Sequence, residues 1–109
     1  MARLVCMVPG KELGNAAEDF RAARRIEQYR IGVAALYLPE GLRWKYIPLH
    51  AVDRVEESFR VISAGHCVPV REKRPELDLF VGTETVHLQL EKPDSMQAIL
   101  KVLEGNAAV

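Results

Sequence analysis

From Leu77 to Leu90 apolar and polar side chains alternate with a period of two on both sides of one glycine-containing turn, a pattern that fits an antiparallel hairpin and little else. Leu77, Leu79 and Val81 alternate with Asp78 and Phe80. Gly82-Thr83-Glu84 turns the chain, and Val86, Leu88 and Leu90 then alternate with Thr85, His87 and Gln89. A sheet with one apolar face needs a cover, and the next segment supplies it. Asp94, after Pro93, has the side chain and position to cap a helix with Gln97 three residues on. Met96, Ile99, Leu100 and Leu103 keep the i, i+3, i+4, i+7 spacing of one helical face up to Gly105, with 106–109 as a tail.

The preceding chain carries the same strand texture. Val33–Leu38 and Leu42–Leu49 form a second hairpin through Pro39-Glu40-Gly41, where proline presets φ and glycine accepts a positive one. In its second arm Leu42, Trp44 and Tyr46 share a face, with Trp44 in the core. Arg43 and Lys45 take the wet face, and Pro48 interrupts the ladder. Val55, Phe59 and Val61 mark a further strand, followed by Ala64-Gly65 and a short Cys67–Val70 segment. Arg71–Pro75 reads as an exposed loop. At the start, Arg3–Val8 is an edge or first strand closed by Pro9-Gly10. Asn15 and Glu18 have the spacing of a reciprocal helix cap, predicting a helix from about Ala16 to Gln28 with acids leading and Arg24 and Arg25 trailing.

At 109 residues the chain has the length of a single domain, with a core over about 31–104 and residues 1–30 as an N-terminal strand and helix extension. Apolar residues make up 49% and charged ones 28%, proportions of a folded globule. Fifteen basic residues balance fifteen acidic ones, so no global field draws the protein to nucleic acid or an anionic membrane. Leu4–Val8 is too short for a signal-peptide core, and no apolar stretch nears the ~20 residues of a membrane span, so the expected location is cytoplasmic. In that compartment Cys6 and Cys67 are expected reduced.

Motifs that carry chemistry are sparse. His50, His66, His87, Cys6 and Cys67 show neither C-x-x-C nor H-x-x-x-H spacing, so no metal site is assigned. Adjacent His66 and Cys67 on a strand point to opposite faces, as do Glu56 and Glu57, which rules out a thiol–imidazole or carboxylate pair from these neighbours. No nucleophile elbow, P-loop or dinucleotide fingerprint occurs. No catalytic residue and no cofactor is therefore expected. Arg21, Arg24, Arg25 and Arg30 group around the first helix, where Glu18 and Glu27 can pair with them. No aromatic is interleaved with Arg71, Lys73 and Arg74, so a stacking platform for nucleic acid is missing.

A run of antiparallel strands ending in one amphipathic helix, with Tyr46-Ile47-Pro48-Leu49 late in one strand and Phe80-Val81-Gly82-Thr83 before the last, resembles a bacterial pleckstrin-homology-like domain over roughly residues 31–104. The resemblance implies an α+β fold: a bent antiparallel sheet or partly open barrel of six to seven strands, plugged by the C-terminal helix. It brings phosphoinositide binding to mind, which in lipid-binding members depends on Lys and Arg clustered at the first hairpin turn. Here that turn carries Glu40, and only Arg43 and Lys45 follow. The expected function is a binding or scaffolding module for a protein partner or a second copy of the chain. The alternative is an anionic-headgroup or small-anion module, with Arg43, Lys45, Lys73 and Arg74 as the contacts.

Overall fold

The computed structural model describes residues 3–64 and 70–107, with side chains described for 3–61 and 73–105; the readings made for His66, Cys67 and the Cys67–Val70 segment lie largely outside them. Five strands form one sheet: β1 (Arg3–Cys6), β2 (Arg24–Ile26), β3 (Tyr29–Ile31), β4 (Ala35–Glu40) and β5 (Arg43–Pro48), in the order β1-β5-β4-β3-β2. β2 to β5 are an antiparallel meander, and β1 joins β5 in parallel. A second, antiparallel sheet holds β6 (Arg54–Ala64), β7 (Val70–Val81) and β8 (Glu84–Gln89) in chain order. Helix α1 (Ala16–Ala22) follows β1, and helix α2 (Pro93–Ala107) follows β8, running through Gly105 and into the expected tail.

The fold is α+β, but the single bent sheet or partly open barrel is corrected to two unclosed sheets holding eight strands among the described residues. The break lies at Pro48. Proline cannot continue the ladder as a donor, and Leu49–Ala51 form a 3₁₀ turn that redirects the chain before β6.

One core joins both sheets to α2. Met96, Ile99, Leu100 and Leu103 of the predicted stripe pack with Leu36 and Ile47 of the first sheet and Leu77, Leu79, Leu88 and Leu90 of the second. Each such side chain taken fully out of water contributes about 1.5–3 kcal/mol before entropy is counted. A second cluster lies on the opposite face of the five-stranded sheet, where Ala16 and Phe20 of α1 cover Ala35, Tyr37 and Tyr46. The central strand is thus buried on both faces, which is why neighbouring Leu36 and Tyr37 are both fully buried. The same core also takes in Ile26 and Tyr29.

The helix predicted to Gln28 ends at Ala22, because Ala23 is extended and Arg24–Ile26 pair with Tyr29–Ile31. Propensity favours helix over Arg24–Gln28, yet burying Ile26 against Tyr29 favours the strand more. The intervening turn places Glu27 at φ +54°, a left-handed conformation held by its side chain. The Glu27 carboxylate accepts the backbone N–H groups of Glu91 (2.8 Å) and Lys92 (3.2 Å), just ahead of α2. Asp94 itself lies inside the first turn of a helix starting at Pro93, so it is not the cap residue it was expected to be. Asn15 likewise makes no side-chain cap.

The hairpin turns are tighter than expected. Glu40 pairs with Arg43 around Gly41-Leu42, with Gly41 at φ +60°, so Pro39 sits in the ladder opposite Trp44. The strand on its other side has ended by then, since β3 reaches only as far as Tyr37, and no bond is lost. Arg71–Pro75 is not a loop. It forms the first half of β7, paired residue for residue with β6.

Candidate interaction surface

β6 is eleven residues long and ends its sheet, with β7 on one side and, among the described residues, no strand on the other. The direction of its backbone groups follows from β7. The Leu90 N–H donates to the Pro75 carbonyl (3.1 Å), so the odd residues of β7 turn toward β8 and the even ones toward β6. The register is unbroken from Arg54 opposite Phe80 to Ala64 opposite Val70. Glu56, Ser58 and Arg60 therefore bond to β7, and the N–H and C=O groups of Val55, Glu57, Phe59 and Val61 face the open edge.

The side chains of those four residues share the face that covers the core, but only Val55 packs on it. Phe59 and Val61 remain 61% and 58% exposed. The hairpin outruns the reach of α2, and the molecule is elongated accordingly, 52 × 33 × 25 Å. Val33 and Leu42 are the other large exposed apolar residues described; Leu42 sits at a hairpin turn and Val33 in a connection between strands, whereas Phe59 and Val61 are same-face neighbours beside unpaired backbone. The sequence placed both on a strand. Their exposure was not legible, because period-two spacing reports a shared face and not where the covering helix stops.

Pro75 is fully buried inside β7. It has no N–H to offer the Leu90 carbonyl, and Arg60 supplies a donor instead, reaching across β7 to that oxygen at 3.3 Å. Arg74, opposite Arg60 in register, forms an ion pair with Glu91 at 2.5 Å.

The four cations proposed as anion contacts divide between the two sheets. Arg43 and Lys45 do share a face of β5, and Glu40 pairs with both, with Arg43 at 2.7 Å. Lys73 and Arg74 are consecutive in β7 and point to opposite faces of the second sheet, so the expected exposed loop is replaced by a strand. The first arginine group is also dispersed: Arg21 is in α1, Arg24 and Arg25 are in β2, and Arg30 stacks on Phe20 and Trp44, 4.6 and 5.4 Å from the ring centres. A groove of about 420 Å³ beside Ala22, Ile31, Leu49 and Val102 has Arg24 as its one charged lining residue among those described.

The register also unites three groups that spacing did not. Glu76 and Asp78 alternate on one face of β7, and His87 of β8 stands opposite Asp78. Their ligand atoms lie within 4.8 Å of one another, and His87 Nδ1 is 2.6 Å from Asp78 Oδ1. The hydrogen bond to Asp78, and then its charge with that of Glu76, raises the imidazole pKa above its ordinary value. Counting outward from Gly82-Thr83 would have found this pair, since a two-residue turn fixes the pairing of every later position.

No helix among the described residues is long and apolar enough to cross a membrane. No family model, curated protein or solved structure matches the chain.

Proposed function

We propose that the chain is a non-catalytic binding or scaffolding module of pleckstrin-homology-like architecture, cytoplasmic, which engages a protein along β6. The observation that carries this reading is the eleven-residue open edge flanked by exposed Phe59 and Val61. An extended segment laid beside it gains main-chain hydrogen bonds and an apolar contact together, as in strand addition. The architecture is supported by the element order, seven antiparallel strands from β2 to β8 followed by one amphipathic helix packed on both sheets. The anionic-headgroup alternative loses support at Arg43 and Lys45, whose charge Glu40 offsets.

A photo-reactive phenylalanine analogue at position 59 tests the reading in cells, alongside sedimentation with phosphoinositide vesicles at physiological salt. One dominant covalent adduct, either to this chain or to one other protein, is expected. It should weaken with Val61→Asp, with no sedimentation. Absence of a protein adduct together with vesicle binding lost in Arg43→Glu/Lys45→Glu would replace this reading with the anionic one.

A further inference from the structure

Resting on that reading, we infer that the partner of β6 is the β6 of a second copy, added antiparallel about a two-fold axis through Ser58. A two-fold axis perpendicular to the sheet keeps every side chain on its own face, so an odd residue of one strand can oppose only an odd residue of the other. That leaves a short series of registers, each centred on one residue; those centred toward the middle of β6 pair the most backbone, and charge decides among them. Centring on Glu56 or Arg60 sets that charge against its own copy. Centring on Glu57 opposes the two Glu57 side chains and also places Arg54 against Arg60. Centring on Phe59 brings Arg60 to Ser58 and makes no ion pair.

Centring on Ser58 opposes no like charges: Glu56, already 3.5 Å from Arg54 of its own strand, comes opposite Arg60 of the second copy twice, once on each side of the axis, where complementary charge is gained if Arg60 turns from the Leu90 carbonyl. It sets Val55 against Val61 and Glu57 against Phe59 in hydrogen-bonded pairs, since these are the residues whose backbone groups face outward. Four such pairs with two bonds each give about eight new main-chain hydrogen bonds. On the core side, the exposed Val61 of each copy lies over the Val55 of the other, which already packs against the main core, and the two Phe59 rings become diagonal neighbours across the axis. The two three-stranded sheets become one of six, and the apolar strip that α2 leaves uncovered continues into the second copy's core. No proline or glycine interrupts Arg54–Ala64, so the edge carries neither of the residues that commonly block such pairing.

Sedimentation velocity at high micromolar concentration should give a dimer for the wild type. Phe59→Pro removes only an outward N–H and should give a monomer with unchanged circular dichroism; Val61→Asp, which leaves every backbone bond in place, should shift the equilibrium the same way. In a Cys6→Ser/Cys67→Ser background, Ser58→Cys should form a disulfide-linked dimer on mild oxidation, and Glu56→Cys should not. A monomeric wild type, a dimer that survives both Phe59→Pro and Val61→Asp, or cross-linking at 56 instead of 58 would overturn the inference. A position-59 adduct to a different protein would also overturn it while leaving the binding-module reading standing, whereas absence of any protein adduct defeats that reading itself.

Discussion

The Asp19 carboxylate of α1 accepts the hydroxyl of Tyr37 at the centre of β4, 2.7 Å away, in the wall between helix and sheet. Its other oxygen accepts the backbone N–H groups of Val33 (3.0 Å) and Ala34 (3.2 Å), so one buried acid ties α1 to the chain entering β4. Burial, and then the neighbouring carboxylate, push the Tyr37 hydroxyl above its ordinary pKa and keep it protonated as a donor. Asp19→Ala leaves these donors without their acceptor and should cost about 2–4 kcal/mol in urea unfolding. Gly32→Ala should be costly for the same reason, since a Cβ there meets the Asp19 carboxylate. Combining the two should cost less than their sum, because without the carboxylate the new methyl group has room.

Glu27 supplies a pH dependence. Burial alone would raise its pKa, but hydrogen bonds from the Ser95 side chain and the Glu91 and Lys92 backbone, with the Lys92 charge, outweigh it and lower the value below 4.5. A depressed carboxylate contributes its full stability above the unfolded value and loses it as pH falls through the folded one. Glu27→Gln should therefore destabilise by about 0.5–1.5 kcal/mol at neutral pH, because charge-assisted hydrogen bonds become neutral ones. The difference from wild type, followed by urea midpoints, should shrink as pH drops below the ordinary carboxylate range.

Leu100 sits in the middle of the α2 stripe, buried against both sheets, and Leu100→Ala should cost ~2–5 kcal/mol. Exposed Lys101 is the control, and Lys101→Ala should leave the melting temperature nearly unchanged.

These residues show what the sequence could and could not reveal. The α2 stripe and the alternation of 77–90 were legible because helix and strand periods are local properties, and each has a single face to bury. The split into two sheets was not, because it depends on which strands find each other after Pro48, a long-range matter. Arg71–Pro75 has the composition of a loop, yet its backbone is committed by β6 on one side and by the Leu90 N–H on the other. Arg24–Gln28 has helical composition, yet Ile26 is claimed by the core. Arg43 and Lys45 were legible on one face with Glu40 as an opposing charge in the turn before them, but that Glu40 pairs with both cations depends on side-chain reach, which spacing does not report. The docking edge was the least legible feature, since an open edge is defined by the strand that is missing.

His87 should titrate with a midpoint above its ordinary 6.5, because its charged form is held by Asp78. Asp78→Asn should return the midpoint toward the ordinary value, which proton NMR of the imidazole resonances reads directly. A raised pKa stabilises the folded state fully below the unfolded value, and that contribution fades as pH rises through the folded one. An unshifted midpoint in wild type would mean that the cross-strand pair does not persist in solution.

Docking of β6 onto the β6 of a second copy is open to a direct test by amide hydrogen exchange, resolved residue by residue and repeated over a range of protein concentration. Glu56, Ser58 and Arg60 donate to β7 and should be protected at every concentration. Val55, Glu57, Phe59 and Val61 should exchange quickly when dilute and become protected as concentration rises. Fast exchange of these four amides at all concentrations, in protein whose β7-facing amides stay protected, would contradict it.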